Sequence, residues 1–189
     1  MTAAALGREA DLHATAVIYG ESGVLILGPS GSGKSALALA LMARARATGA
    51  FSALIGDDRI FIRKAHGRLI ARGLTNMAGV IERRAAGLIR VRYEPATVVR
   101  LIVELCDRGR RWPRMPDEDN RLVVGEARLP RLALEAEQSA CDQALVVDER
   151  LEALAAESRT VLGISLEHCA AVHKNGRSEY PPAWLRAGA

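Results

Sequence analysis

The sequence has few aromatic residues, few cysteines and no long apolar run, and each shortage narrows the kind of protein it encodes. Aromatic residues make up 4% of its 189 residues, so stacking platforms for nucleic-acid bases are scarce. Its cysteines, Cys106, Cys141 and Cys169, lie too far apart for a metal-type pair, and an odd, sparse count fits a reducing compartment. No apolar run approaches the roughly 20 residues that span a bilayer. We therefore expect a cytoplasmic protein that binds neither nucleic acid nor membrane.

The composition is that of an ordinary globular domain. Hydrophobic residues make up 49% of the chain and charged residues 25%, which is enough to build a core. No Pro/Gly/Ser-rich linker divides the sequence, so we expect a single domain over residues 1–189. The N-terminus carries Glu9 and Asp11 and lacks a basic segment followed by an apolar one, so no secretory signal is expected. Arginine supplies most of the basic excess, which suits phosphate groups or an acidic partner.

Alternating and apolar segments predict a mixed α/β chain with hairpins near its start rather than a plain run of βαβ units. "NMAGVIERRAAGLIRVRYE" is ambiguous because Gly79 and Gly87 interrupt any helical pattern, and residues 107–120 are polar, charged and proline-containing, as in a loop. The remaining predicted elements are strands in "ATAVIYG" and "VLILG", a helix in "KSALALALMARARATG" ending at Gly49, a strand in "SALIGDD", a hairpin of "RIFIR" and "RLIAR", strands in "TVVRLIVELC", "RLVVG" and "RLALEA", and a helix in "SACDQALVVDERLEALAAES".

One segment matches the phosphate-binding pattern G-x-x-x-x-G-K-[ST] between a predicted strand and a predicted helix. Its glycines allow a tight turn that points backbone N–H groups at phosphate oxygens, and the helix adds its positive N-terminal end. Lysine reaches the β- and γ-phosphates and the serine hydroxyl can ligate Mg²⁺. The alternative, a glycine-rich turn without a ligand, is disfavoured by the flanking strand and helix. The predicted nucleotide-binding residues are Gly28, Pro29, Ser30, Gly31, Ser32, Gly33, Lys34 and Ser35.

Two adjacent carboxylates, Asp57 and Asp58, end the strand that follows the loop helix. Because successive strand residues face opposite sides, one carboxylate can face the site while its neighbour faces away. Such a pair suits a metal-holding acid beside a proton-accepting one. Taken alone, the pair could also be an exposed turn that starts a hairpin.

Three further residues are candidates whose own signals are weak. Glu82 is either a second metal ligand or a partner of Arg83 and Arg84 on a solvated face. Arg114 lies in the loop "RRWPRMP", where an arginine could stabilise transferring phosphoryl charge or clamp a partner. His13 precedes the first strand and, alone, reads as a surface histidine.

Four features follow one another in the chain: "LHATAVIYGESGVLILGPSGSGKSALALAL", "GDDR", "GVIERRAAGLIRV" and an arginine before "MP". Together they resemble the catalytic domain of bacterial HPr kinase/phosphorylase, over residues 13–134. The resemblance implies an ATP- and Mg²⁺-dependent serine kinase acting on HPr or a related phosphocarrier of the phosphotransferase system. It also implies a hexamer and a fold shared with phosphoenolpyruvate carboxykinases, a P-loop-containing mixed sheet with helices.

By position, Asp58 matches the family's proton-transfer aspartate and Asp57 would assist beside it. The residues that match catalytic positions of the family are His13, Lys34, Asp58 and Arg114, and those expected at magnesium are Ser35, Asp57 and Glu82. The chain begins close to the family's catalytic histidine, so we expect the truncated form without the N-terminal domain, with a helical region over residues 135–189.

The sequence also departs from the family pattern. Where the family signature reads "LIEIRGLGIINV", this chain reads "ERRAAGLIRV", with Arg90 in place of the asparagine. In the family that signature is tied to phosphorolysis of the serine phosphate, so whether this chain catalyses it stays open. Two alternatives also stay open: another P-loop small-molecule kinase or ATPase, although no "LSGGQ"-like signature is present, and a nucleotide-binding regulatory module without catalysis.

Overall fold

The computed structural model describes residues 9–106, 121–124 and 127–161. Helix α1 spans Lys34–Thr48, helix α2 spans Ala140–Val161, and a short 3-10 helix spans Thr75–Met77. The strands within these residues, numbered β1 to β11 in chain order, are Ala10–Leu12, Thr15–Tyr19, Ser22–Leu27, Ser52–Gly56, Ile60–Ala65, Arg68–Gly73, Val80–Arg83, Gly87–Arg90, Ala96–Cys106, Arg121–Val124 and Ala127–Glu135. The predicted mixed α/β class is confirmed.

A nine-stranded mixed sheet forms the centre of the fold. Its strand order is β1-β5-β6-β9-β3-β2-β4, with β11 pairing β9 and β10 pairing β11. The long apolar strand β9 lies in the middle of this order. It pairs in parallel with β3 and β11 and antiparallel with β6. Three sequential hairpins, β2–β3, β5–β6 and β10–β11, supply further pairs, and two antiparallel pairs, β1–β5 and β2–β4, join strands that are not consecutive. The sheet is therefore not a run of βαβ units, as predicted.

The hairpin of β2 and β3 leads directly into the glycine-rich loop and then into α1. Leu37 and Leu41, one turn apart, are fully buried on one face of α1. The helix ends at Gly49, whose φ of 73° is left-handed and whose N–H donates to the carbonyl of Ala45. Glycine favours this conformation because it has no Cβ. The predicted strand, loop, helix and C-cap are therefore confirmed.

Strand β4 returns antiparallel beside β2, and their register places Ala16 opposite Gly56. The chain just before Ala16 therefore lies beside the chain just after Gly56. This pairing brings two segments about 40 residues apart in sequence to one end of the sheet, and the two aspartates follow immediately after β4.

The segment left ambiguous by the sequence forms a separate two-stranded hairpin of β7 and β8. Gly79 and Gly87 have φ values of 70° and 76°, so they serve turns at the ends of strands rather than interrupting a helix. Ala85, in the turn between the strands, also has a left-handed φ of 64°.

The core on one face of the sheet consists of aliphatic side chains from many strands. Leu25, Ile60 and Ile102 are fully buried there, and Leu69 is 2% exposed. Each such side chain contributes about 1.5–3 kcal/mol through removal from water. This packing holds the strand ends that carry the functional residues.

The described chain divides into two compact units between Val147 and Asp148, within α2. The residues discussed below all belong to the first unit, and a single domain over residues 1–189 stays a prediction. The helix predicted near the C-terminus is confirmed as α2. No helix in the part of the chain that the structure describes has the length and apolarity to cross a membrane.

Candidate active site

The glycine-rich loop between β3 and α1 has the backbone of an anion cradle. Gly28, Gly31 and Gly33 have φ values of 154°, 80° and 97°, which residues with a Cβ rarely adopt. Gly33 is the N-cap of α1, and the first turn of the helix has no acidic residue. The positive end of the helix dipole therefore has no acidic residue in its own first turn and favours an anion.

The buried hydroxyl of Ser32 indicates which kind of ligand this loop fits. Ser32 is 6% exposed, and its Oγ has no hydrogen-bond partner in the described part of the chain. A buried hydroxyl without a partner costs free energy, and a phosphate oxygen is a suitable acceptor for it. The loop residues therefore fit a polyphosphate group.

The Lys34 ammonium is bound inside the loop and is 7% exposed. Its Nζ donates to the carbonyls of Gly28 and Pro29 at 2.9 Å each and to Nε2 of His13 at 3.0 Å. An ammonium has three N–H donors, and these contacts use all of them. Burial lowers the pKa of Lys34 because it disfavours the charged form, and the nearby aspartate charges oppose that shift.

His13, in the turn between β1 and β2, connects Lys34 to Asp58. Because Lys34 donates to Nε2, that nitrogen accepts, so the proton of a neutral imidazole lies on Nδ1. Nδ1 is 3.0 Å from the carbonyl oxygen of Asp58 and 2.9 Å from its Oδ1. The histidine thus orients one oxygen of the Asp58 carboxylate, and the side chain of Asp58 remains 83% exposed.

The Asp57 carboxylate is held from three sides. The Thr15 hydroxyl donates to Oδ1 at 2.6 Å, and the Ser35 hydroxyl lies 3.0 Å from both oxygens. The backbone N–H of Glu82 donates to Oδ2 at 3.3 Å. Thr15 is fully buried, so its hydroxyl fixes the carboxylate from inside the fold. The sequence reasoning missed Thr15, and only the pairing of β2 with β4 could have revealed it.

The oxygens of Ser35 and Asp57 suit Mg²⁺, which takes oxygen ligands. Within residues 9–106, 121–124 and 127–161, no cluster of three Asp, Glu, His or Cys side chains could hold a metal. Magnesium usually keeps several waters and binds substrate phosphates as well as one or two carboxylates, so two protein ligands are sufficient. Glu82 reaches this site through its backbone N–H.

The expectation that one carboxylate faces the site while its neighbour faces away is wrong. Strand β4 ends at Gly56, so both aspartates lie in the turn after it, where strand alternation no longer applies. Asp58 has a left-handed φ of 69°, which redirects the chain and lets both carboxylates contact site residues. Aspartate tolerates this conformation better than most residues.

Most of the predicted site residues meet around the loop. The structure brings together His13, Lys34, Ser35, Asp57 and Asp58, with Glu82 adjoining through its backbone. Arg114, the remaining predicted catalytic residue, lies outside the described residues.

An open depression adjoins this group at the surface. It has a volume of about 320 Å³ and is lined by Asp11, His13, Asp58 and Arg59. Asp11 and Arg59 form an ion pair beside it, with Nε of Arg59 2.6 Å from Oδ2 of Asp11. The exposed carboxylate of Asp58 therefore faces a space that a second molecule can enter.

Known proteins share sequence with part of this chain. The chain is 37% identical over 86 residues to an HPr kinase/phosphorylase of Clostridium beijerinckii and 38% identical over 86 residues to one of Clostridium botulinum. Each match covers 46% of this chain, which spans about a quarter (26%) of the relative's length.

A solved structure shares the fold. The Hpr(Ser) kinase/phosphatase from Coxiella burnetii superposes with a TM-score of 0.61 at 23% identity, covering 76% of this chain and 97% of that one. The profile of the family described as HPr Serine kinase C-terminal domain matches residues 4–161. The chain therefore belongs to the HPr serine kinase C-terminal domain family.

Proposed function

We propose that this chain is a serine kinase domain that uses Mg-ATP to phosphorylate HPr or a related phosphocarrier of the bacterial phosphotransferase system. The observation that carries the proposal is the connection through His13, which contacts the loop lysine on one side and an exposed aspartate on the other. Family membership and the names of the clostridial relatives support the choice of HPr as substrate.

The residues present fit the nucleotide and its metal. The loop backbone and the Ser32 hydroxyl would hold the phosphates, the Lys34 ammonium would add positive charge beside them, and Ser35 with Asp57 would hold Mg²⁺. When bound, Mg-ATP supplies the phosphoryl group and the metal charge that neutralises its oxygens. The protein itself positions the reactants, because phosphoryl transfer depends mainly on placement and electrostatics.

Asp58 is suited to take the proton of the target serine. Its carboxylate is exposed, oriented by His13, and beside a depression open to solvent. As the serine Oγ forms its bond to the γ-phosphorus, the bond from that phosphorus to ADP would break and ADP would leave, while the Oγ–H proton would pass to Asp58. His13 keeps the accepting oxygen in place through the contact of its Nδ1 with Oδ1 of Asp58.

The exposure of this base favours a protein substrate over a small metabolite. A small molecule is usually enclosed by a pocket that buries most of its surface, whereas here Asp58 is 83% exposed. A serine on the surface of a folded carrier can reach such a base directly. Because the carrier and ATP are cytoplasmic, we place the activity in the cytoplasm.

A labelling assay tests the proposal. The chain is incubated with γ-labelled ATP, Mg²⁺ and either a sugar-uptake or a nitrogen-related phosphocarrier, and the labelled residue is identified by mass spectrometry. We expect label on one serine of one carrier. Nucleotide binding without label on either carrier would contradict the proposal and favour a regulatory module. Adding inorganic phosphate to the labelled carrier and measuring pyrophosphate tests the phosphorolysis reaction.

A further inference from the structure

Arg84 lies in the turn at the tip of the β7–β8 hairpin, where the backbone fixes its position. The N–H of Ala86 donates to the carbonyl of Arg83 at 3.0 Å, which closes the turn around Arg84 and Ala85. Ala85 has a φ of 64° and Arg84 does not have a positive φ, as in a type II turn. The turn therefore fixes the backbone from which the side chain of Arg84 extends.

The guanidinium of Arg84 lies at the tip of the phosphate loop. A Cβ built on Gly31 would be 3.1 Å from Nη2 of Arg84, closer than ordinary van der Waals contact. Gly31 also has a φ of 80°. The glycine at this position therefore leaves the space into which the arginine reaches.

The guanidinium of Arg84 has no partner among the residues that the structure describes. Arg84 is exposed and makes no hydrogen bond or ion pair with any residue in the described ranges. By contrast, Arg59 and Arg72 pair with the carboxylates of Asp11 and Glu9. An arginine fork matches phosphate oxygens in a bidentate manner, so an unpaired one beside a phosphate-binding loop points to an anionic ligand.

The hairpin is also attached to the acidic side of the site. Two residues before Arg84, the backbone N–H of Glu82 donates to Oδ2 of Asp57. Arg84 thus belongs to the same hairpin that orients Asp57, the candidate metal ligand. The position of Arg84 therefore depends on the structure of the site.

We propose that Arg84 is a phosphate-binding residue that contacts the polyphosphate held in the loop of residues 28–35. The inference rests on the proposed function only in assuming that this ligand is a nucleotide. It adds a second positive side chain to Lys34, contributed by a distant hairpin instead of by the loop.

The experiment measures binding of inorganic tripolyphosphate with Mg²⁺ to the full chain by calorimetry. The variants are Arg84→Ala, Arg84→Lys and, as a matched control, Arg83→Ala. Arg83 has the same charge and is also exposed, but of the two only Arg84 lies within 4 Å of the Gly31 position. Thermal unfolding of each variant confirms that it is folded.

We expect Arg84→Ala to weaken binding about tenfold, since a hydrogen bond to a charged group is worth about one order of magnitude in affinity. Arg84→Lys should retain part of the affinity, because it keeps the charge without the fork. Arg83→Ala should change affinity less than twofold. Unchanged binding in Arg84→Ala overturns the inference, and so does an equal loss in both alanine variants.

The outcomes also separate this inference from the kinase proposal. Loss of binding in Arg84→Ala, together with wild-type chain that labels no carrier, supports the inference and rejects the kinase function. Wild-type labelling together with unchanged tripolyphosphate binding in Arg84→Ala supports the kinase function and rejects the inference.

Discussion

Replacing Thr15 by valine removes one hydroxyl from the buried start of β2 and keeps the volume and branching of the side chain. The hydroxyl is fully buried and donates to Oδ1 of Asp57 at 2.6 Å. After the change, Ser35 and the Glu82 N–H remain as partners of Asp57. The substitution therefore isolates a single hydrogen bond to a charged group without opening a cavity.

The expected effect follows from the charge on the acceptor. Hydrogen bonds to charged groups contribute about 1.5–3 kcal/mol, so Thr15→Val should lower the free energy of unfolding by about 2 kcal/mol. A domain of 150–250 residues loses about 2–4 °C in Tm per kcal/mol. The Tm should therefore fall by about 4–8 °C. The concentration of Mg²⁺ needed for nucleotide binding should also rise, because Asp57 loses the group that orients it.

Urea unfolding followed by circular dichroism measures the first effect, with two controls. Thr15→Ser keeps the hydroxyl and should cost less than half as much. Thr48→Val removes an exposed hydroxyl whose bonds within the described residues go to carbonyls of its own helix, and should change stability by less than about 0.5 kcal/mol. If Thr15→Val were no more destabilising than Thr48→Val, the proposed role of Thr15 would be refuted.

Two further substitutions test the backbone at the site. Ala85→Gly should raise the free energy of unfolding in urea by about 1 kcal/mol, because glycine adopts the left-handed φ of 64° without strain. The control Ala86→Gly changes a residue without a positive φ and should give no gain in stability. A gain in Ala86→Gly would contradict the reasoning. Gly28→Ala should cost at least about 2 kcal/mol and abolish tripolyphosphate binding in calorimetry, because its Cβ would lie 2.9 Å from the backbone carbonyl oxygen of Leu105 as well as 2.6 Å from Oγ of Ser32. In the control Gly20→Ala, the added Cβ meets open space, so the variant should lose only the strain of its positive φ, about 1–2 kcal/mol. Equal losses of stability in Gly28→Ala and Gly20→Ala would show that the loop is not tightly packed.

The phosphate loop could be predicted because its parts are adjacent in sequence. Residues 28–35 form a local turn, and the spacing of the glycines, the lysine and the serine is enough to predict a phosphate-binding loop. The helix that follows and its glycine cap are likewise local, and both were predicted correctly. The strand β9 was also clear, since its long apolar run is typical of a strand buried in a sheet.

The meeting of the other residues depends on pairing between distant strands. Thr15 and Asp57 are 42 positions apart and become neighbours only through the antiparallel register of β2 and β4. A threonine within a strand carries no signal of this kind. The direction of Asp58 was also missed, because its left-handed φ is a property of the turn and not of strand alternation. Arg84 could not be placed at Gly31 before its hairpin was known.

The most direct test of the account uses Asp58→Asn, with nucleotide binding and carrier labelling measured on the same preparation. Asparagine keeps the shape of Asp58 but accepts no proton, and a general base contributes about 10²–10⁴-fold to a rate. We expect affinity for Mg-ATP to stay within about twofold and the rate of serine labelling to fall at least about 100-fold. An unchanged labelling rate would contradict the claim that the loop and this exposed carboxylate form one phosphoryl-transfer site.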